Sequence, residues 1–126
     1  MAHVPGSADE TRARVPAVLE SYAFIRDNVL LDGPADRELK QLCFRFLAGE
    51  IEPSGYEGRE RAALDWAYAI AWDSEKADDA LWERLHSLFS EEELVDLGCA
   101  IGFEMGQQHF VRTLGLTPEP PHADSS

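Results

Sequence analysis

The stretch SEEELVDLGCAIGFEMGQQHFVRTLG, Ser90–Gly115, decides how the chain is read. Ser90 with Glu93 three positions on suits a capping box, Phe89 and Leu94 suit a hydrophobic staple around it, and Gly115 suits a left-handed stop. One long helix is therefore expected. Inside it Gly98, Gly102 and Gly106 recur at every fourth position, although each interior glycine costs roughly 0.5–1 kcal/mol relative to alanine. At about 100° per residue the three fall on a slowly drifting stripe that also carries His109. Leu94, Leu97, Ile101 and Met105 flank the stripe on one side, and Val95, Cys99, Phe103 and Phe110 on the other. Only a narrow strip through Asp96, Glu104 and Gln107 is left to face water. A helix apolar over most of its circumference needs cover on two sides, so the glycines are expected to serve close helix packing and the chain to self-associate. The spacing matches the small-xxx-small pattern of membrane helix pairs, but Glu104, Gln107, Gln108 and His109 argue against lipid.

Upstream, the apolar positions Val15, Val18, Leu19, Tyr22, Ile25 and Val29 predict a first helix from Thr11 to Leu31, stopped by LLDGP. Pro34 opens a second helix with Leu39, Leu42, Cys43, Phe46 and Leu47 on one face, ended by Gly49 and Pro53. EIEPSGYEG reads as a loop. Arg59 to Trp72 forms a third helix with Ala62, Ala63, Trp66, Ala67 and Ile70 inward, and a fourth, capped by Ser74, carries Leu81, Trp82, Leu85 and Leu88. No segment alternates with period two and no Asn-Gly or Asp-Gly hairpin joins two apolar runs. The expected fold is all-α, with five to six helices.

At 126 residues the chain suits one domain with a single core. Residues 10–116 are assigned to it, and residues 1–9 and 117–126 to frayed termini rich in Pro, Ser and charge. With 24 acidic against 11 basic residues the net charge is -13, which disfavours nucleic acid and anionic membrane surfaces as partners. No secretory start and no apolar run of about 18 residues is present, so a cytoplasmic location is expected. Cys43 and Cys99 lie in apolar helical contexts and read as buried free thiols rather than a disulfide.

Gly-rich phosphate loops, G-x-S-x-G, HExxH and paired C-x-x-C signatures are absent, and no metal site or cofactor is expected. The chemistry-bearing candidates are few. His109 on the glycine stripe is a candidate proton carrier, partnered by Glu104 or by a loop carboxylate such as Glu50. Cys43 is the candidate nucleophile, although a reactive thiol needs a stabilised thiolate and access. Arg112 could anchor a substrate carboxylate, with Trp66 and Gln108 lining the same small-molecule site.

The segments DRELKQLCFRFLAGE, YEGRERAALDWAYAIAW and FSEEELVDLGCAIGFEMGQQHFVRTLGL resemble the successive helices of the carboxymuconolactone decarboxylase family, which includes the alkylhydroperoxidase D (AhpD) proteins. The resemblance runs from about Asp36 to Leu116. It implies an all-α domain that assembles through its helices into homo-trimers or hexamers. Peroxidase members carry a C-x-x-C followed by a histidine after the helix corresponding to Glu38–Ala48. Here that place reads GEIEPSGYEG, with Glu50 at roughly the position of the first cysteine. Dithiol exchange needs an attacking thiolate and a resolving partner, so a dithiol peroxidase is not expected. Two functions follow. One is a non-redox enzyme acting by proton transfer on a small apolar or aromatic acid or lactone. The other is a non-enzymatic oligomeric binding or scaffold protein that has lost the redox centre.

Overall fold

A computed structural model describes residues 1–122, and those residues contain helices and no strand. The elements are α1 (Ala8–Arg12), α2 (Pro16–Ile25) running into a π-helical turn (Arg26–Leu30), α3 (Arg37–Leu47), α4 (Gly58–Ala71), a 3-10 turn (Ser74–Lys76), α5 (Asp79–Leu88) and α6 (Glu91–Thr113). The all-α expectation holds. Leu39, Leu42, Phe44 and Phe46 of α3 meet Ala62, Ala63, Leu64 and Ala67 of α4, and Leu94, Leu97, Ala100 and Ile101 of α6 close the same core. α5 covers α4 with Leu81 and Leu85.

The expected helix over Thr11–Leu31 is broken in two. Pro16 has no N–H to give and a ring that clashes one turn back, so α1 ends before it and α2 begins with the proline in its first turn. α1 is capped by a box in which Ser7 Oγ accepts from the Glu10 N–H and Glu10 Oε1 accepts from the Ser7 N–H. The assignment of residues 1–9 to a frayed terminus therefore fails, and the His3 N–H also donates to the Leu114 carbonyl at 2.7 Å. At the other end Pro121 is buried; of the tail, residues 123–126 lie outside the described part. α5 is capped by Asp78, whose Oδ1 accepts from the Leu81 N–H, and not by Ser74, which opens the 3-10 turn.

α6 forms as its sequence requires. Ser90 and Glu93 make the reciprocal capping box. At the far end Gly115 sits at φ +78° and donates to the Arg112 carbonyl, while Leu116 donates to that of Val111. This is the Schellman arrangement, and its left-handed residue is free of a Cβ penalty only as glycine.

The glycine stripe divides. A Cβ built at Gly98 would lie 2.6 Å from the Trp66 ring, so this glycine does let α6 approach α4 closely. Gly102 and Gly106 have nothing within 4 Å of such a Cβ. The wet strip is also misplaced: Glu104 is 2 % exposed, and Asp96 and Gln107 are half-buried. The exposed side of α6 is instead Val95, Cys99, Phe103, Gly106 and Phe110. Cys99 is thus an exposed thiol, against expectation, while Cys43 is buried, and both are free. Among the described residues no helix is long and apolar enough to cross a membrane.

Candidate functional site

The six residues singled out from the sequence do not converge. Cys43 is completely buried, and desolvation pushes its thiol up to about 12, so almost none of it is thiolate at neutral pH. The nucleophile proposed there is ruled out by its surroundings. His109 and Glu50 are both exposed, and no hydrogen bond to either side chain is found among the described residues. A proton carrier needs a partner within reach; His109 has none, because it leaves α6 on the bare side while Glu104 leaves it on the buried side. Trp66 is buried edge-on against Trp82, ring centres 5.3 Å apart, and covers Gly98. It fills the core rather than lining a pocket. Arg112 Nη2 donates to the Leu47 carbonyl at 3.3 Å, satisfying a carbonyl left free at the C-terminus of α3. Its second contact is with Gln108 Oε1 at 3.5 Å. Only Gln108 and Arg112 therefore come together, and they do so to join α3 to α6.

Two buried polar centres do form, one around Glu104, which the sequence offered only as a partner for His109, and one around Lys40, which it did not single out. The first is built on Glu104. Positions 97, 101, 104, 108 and 111 alternate by threes and fours along α6 and all are buried, so Glu104 and Gln108 stand in the middle of its core face. Gln108 Nε2 donates to Glu104 Oε2 at 2.9 Å and to the Phe44 carbonyl of α3 at 3.0 Å. Burial raises the Glu104 carboxyl to about 7, against the lowering influence of the Gln108 hydrogen bond and the Arg12 charge. Above this centre, Arg12 is 7 % exposed. Its Nε and Nη2 both donate to Gln107 Oε1, at 3.1 and 2.9 Å, and Nη1 donates to Asp9 at 2.7 Å. The guanidinium lies 3.8 Å over the Tyr22 ring. Burial raises the Tyr22 hydroxyl as well, opposed by the charge on Arg12.

Tyr22 is a shared wall. On one side is a cleft of about 450 Å³ bounded by Arg12, Arg26, Val111, Leu116 and Pro121. On the other is a groove of about 330 Å³ between α2 and α6, lined by Val18, Ile25, Leu30, Phe103 and Gln107. The groove is apolar apart from its phenol, a serine hydroxyl and a carboxamide, a lining that suits a small apolar or aromatic molecule.

The second centre is Lys40, fully buried in α3. Its Nζ donates to the Val29 and Asp32 carbonyls and pairs with Asp96 Oδ2, all at 2.6 Å. Asp96 also accepts from the Ala35 N–H at 2.8 Å. Val29 lies in the last turn of the π-helical segment, where a carbonyl has no intrahelical donor, and the lysine supplies one. Every polar group here is partnered, so the centre holds the 31–36 connection onto α3 and α6 and offers nothing to a ligand. The signal for Lys40 was its i+4 and i+7 relation to Phe44 and Leu47; the signal for Glu104 was its place in the inward run of α6.

No protein-family model, no curated protein and no solved structure matches the chain.

Proposed function

We propose that the chain is a non-redox, carboxymuconolactone decarboxylase-like protein that works as a self-associated binding or scaffold protein, with the outward face of α6 as the contact between copies. The observation that carries this reading is the two-sidedness of α6. Its inward residues Leu94, Leu97, Ile101 and Val111 are buried within one chain, yet Val95, Phe103 and Phe110 on the other side remain 67, 43 and 39 % exposed. Gly102 and Gly106 lie among them with open space above. In a chain of net charge -13 this stripe of Val, Cys, Gly and Phe is where a second copy can approach without meeting like charge. Homo-trimers or hexamers are the assemblies the sequence resemblance supports. Phe103 belongs both to this face and to the α2–α6 groove, so pairing would deepen the groove for a small apolar or aromatic ligand.

The test is a Gly102→Leu/Gly106→Leu variant. In an isolated chain a Cβ at either position meets nothing within 4 Å, and leucine favours the helix over glycine. Between packed helices they force the axes apart. Light scattering at micromolar concentration is expected to give an oligomer for the wild type and association weakened by about tenfold or more for the variant, with helicity by circular dichroism retained. A wild-type monomer, or a variant that assembles unchanged, would overturn the reading.

The non-redox part has its own measurement. Cys43 is sealed in the core and Cys99 is exposed on α6, so neither has the resolving partner that dithiol turnover requires. No consumption of an organic hydroperoxide is expected with dithiothreitol as donor beyond the rate of a Cys43→Ser/Cys99→Ser control. Turnover lost on Cys43→Ser alone would contradict it.

A further inference from the structure

The segment that follows α6 is seated without the bonds that hold the rest of the chain. Residues 117–122, TPEPPH, form no helix, and Pro118, Pro120 and Pro121 have no N–H to give. No backbone hydrogen bond from the segment is found among the described residues. Even so it lies down on the protein. Pro118 and Pro120 are half-buried and Pro121 is buried, while Thr117 and Glu119 between them are exposed. That alternation belongs to an extended strap with one side inward. Proline suits such a strap, because a fixed φ leaves less conformational freedom to lose on seating.

Its seat is the cleft beside Tyr22, walled by Ala8 and Arg12 of α1, Tyr22 of α2, Arg26 and Val111. A packed core would close this space, yet about 450 Å³ stays open beside the strap, so the strap rests in a groove. The wall is apolar at Val111 and Tyr22 and cationic at its two arginines, whose guanidinium carbons lie 3.8 and 6.0 Å from the centre of the Tyr22 ring. Arg12 gives three of its five N–H groups to Gln107 and Asp9, and the hydrogen bonds of Arg26 go to Asp27 through Nε and Nη2. Both guanidiniums thus keep donors for a further carboxylate, and the strap brings Glu119 to the same cleft.

We propose that this cleft is a recognition groove for a proline-rich, acidic peptide segment: the chain's own residues 117–122 fill it in the free protein, and a segment of the same chemistry on a partner protein displaces them. The resident defines the ligand class, with prolines against an apolar wall floored by a phenol and a carboxylate among guanidiniums. Aromatic-lined grooves take proline-rich segments in this way, because the extended backbone is already ordered before it binds. A resident held by few hydrogen bonds can leave without unfolding the helices beneath it. The groove lies apart from the outward face of α6, so the inference stands independently of self-association.

The experiment follows the isotope-labelled full chain by two-dimensional amide NMR and adds a synthetic peptide LTPEPPH, the sequence of residues 116–122. In the wild type the amides of Thr117, Glu119 and His122 are expected away from random-coil positions. There the peptide should shift nothing below about 1 mM, because the tethered segment competes at about that effective concentration. A full-length Pro120→Ser/Pro121→Ser variant is expected to release those three amides to random-coil positions and to move residues 8–12 and 22–26, while the α5 amides stay fixed. Pro121→Lys, which brings a like charge to the guanidiniums, is expected to act likewise. On either variant the peptide should bind at least about tenfold more tightly than on the wild type and return residues 8–12 and 22–26 toward their wild-type positions. Alanine at the three prolines of the peptide, or Arg26→Gln added to the variant chain, should weaken that binding by about tenfold. Random-coil tail amides in the wild type, variants that leave residues 8–12 and 22–26 unmoved, or a peptide that binds neither variant would each overturn the proposal. So would an alanine peptide that binds as well as the proline one, or binding indifferent to Arg26→Gln.

Discussion

Replacing Lys40 by methionine is expected to cost about 3–5 kcal/mol of unfolding free energy, the usual consequence of removing one partner from a buried ion pair. The methionine fills most of the lysine's volume, so the loss is electrostatic rather than a cavity. Without the ammonium, Asp96 retains only the Ala35 N–H, and the Val29 and Asp32 carbonyls lose their donor. Native domains are stable by about 5–15 kcal/mol, so the loss is a large part of the total and should be plain in the urea midpoint. Adding Asp96→Asn should recover part of it, because a neutral amide still accepts the Ala35 N–H without an unpaired charge. A loss under about 1 kcal/mol would mean that Asp96 finds water and that the pair is in effect a surface one.

The second large effect is a dependence of stability on pH that Glu104→Gln should remove. The folded chain holds the Glu104 proton up to about 7, whereas the ordinary value is 4.5, because burial disfavours the ionised form. The folded state thus binds this proton more tightly than the unfolded chain does. The stabilisation is complete below the unfolded value, declines as the pH rises between the two, and is gone above the folded one. The decline is worth up to about 3 kcal/mol. Asp27 and Glu93 are held below their ordinary values by Arg26 and by the Ser90 cap, so their contributions change at lower pH, outside this window. Urea unfolding at pH 5, 6, 7 and 8 should show the wild type weakening along the series. Glu104→Gln should stay flat and be the more stable protein at pH 8. Parallel curves for the two proteins would show that another group carries the dependence. A glutamine would keep the Gln108 hydrogen bond without the ionisation penalty, so the carboxyl is a feature the packing alone does not require.

Much of the scaffold is local information and was legible along the chain. Ser90 and Glu93 are three residues apart, Gly115 follows directly on α6, and the apolar spacing of α3, α4 and α5 repeats within single turns. The caps are satisfied by atoms a few residues away and the apolar spacing can be counted within each segment, so the all-α class follows from sequence alone. The misreadings are of two kinds. Pro16 is itself a local signal, overridden in the reading by the longer apolar periodicity that ran through it. The others concern which polar residues are inside.

Glu104, Gln107 and Asp96 read as a wet strip because they are polar, but Gln107 is drawn inward by Arg12 of α1 and Asp96 by Lys40 of α3, while Glu104 is held by Gln108 of its own helix, whose other hydrogen bond goes to the Phe44 carbonyl of α3. The same holds in reverse for Val95, Phe103 and Phe110, apolar residues that stay exposed on the outer side of α6. Local signals in the chain place α3, α4 and α6, because caps and apolar spacing act within a few residues. The tertiary structure alone decided which carboxyl is desolvated, which thiol is sealed and which side of α6 is bare, because desolvation is set by neighbours that chain folding brings from some sixty to ninety residues away.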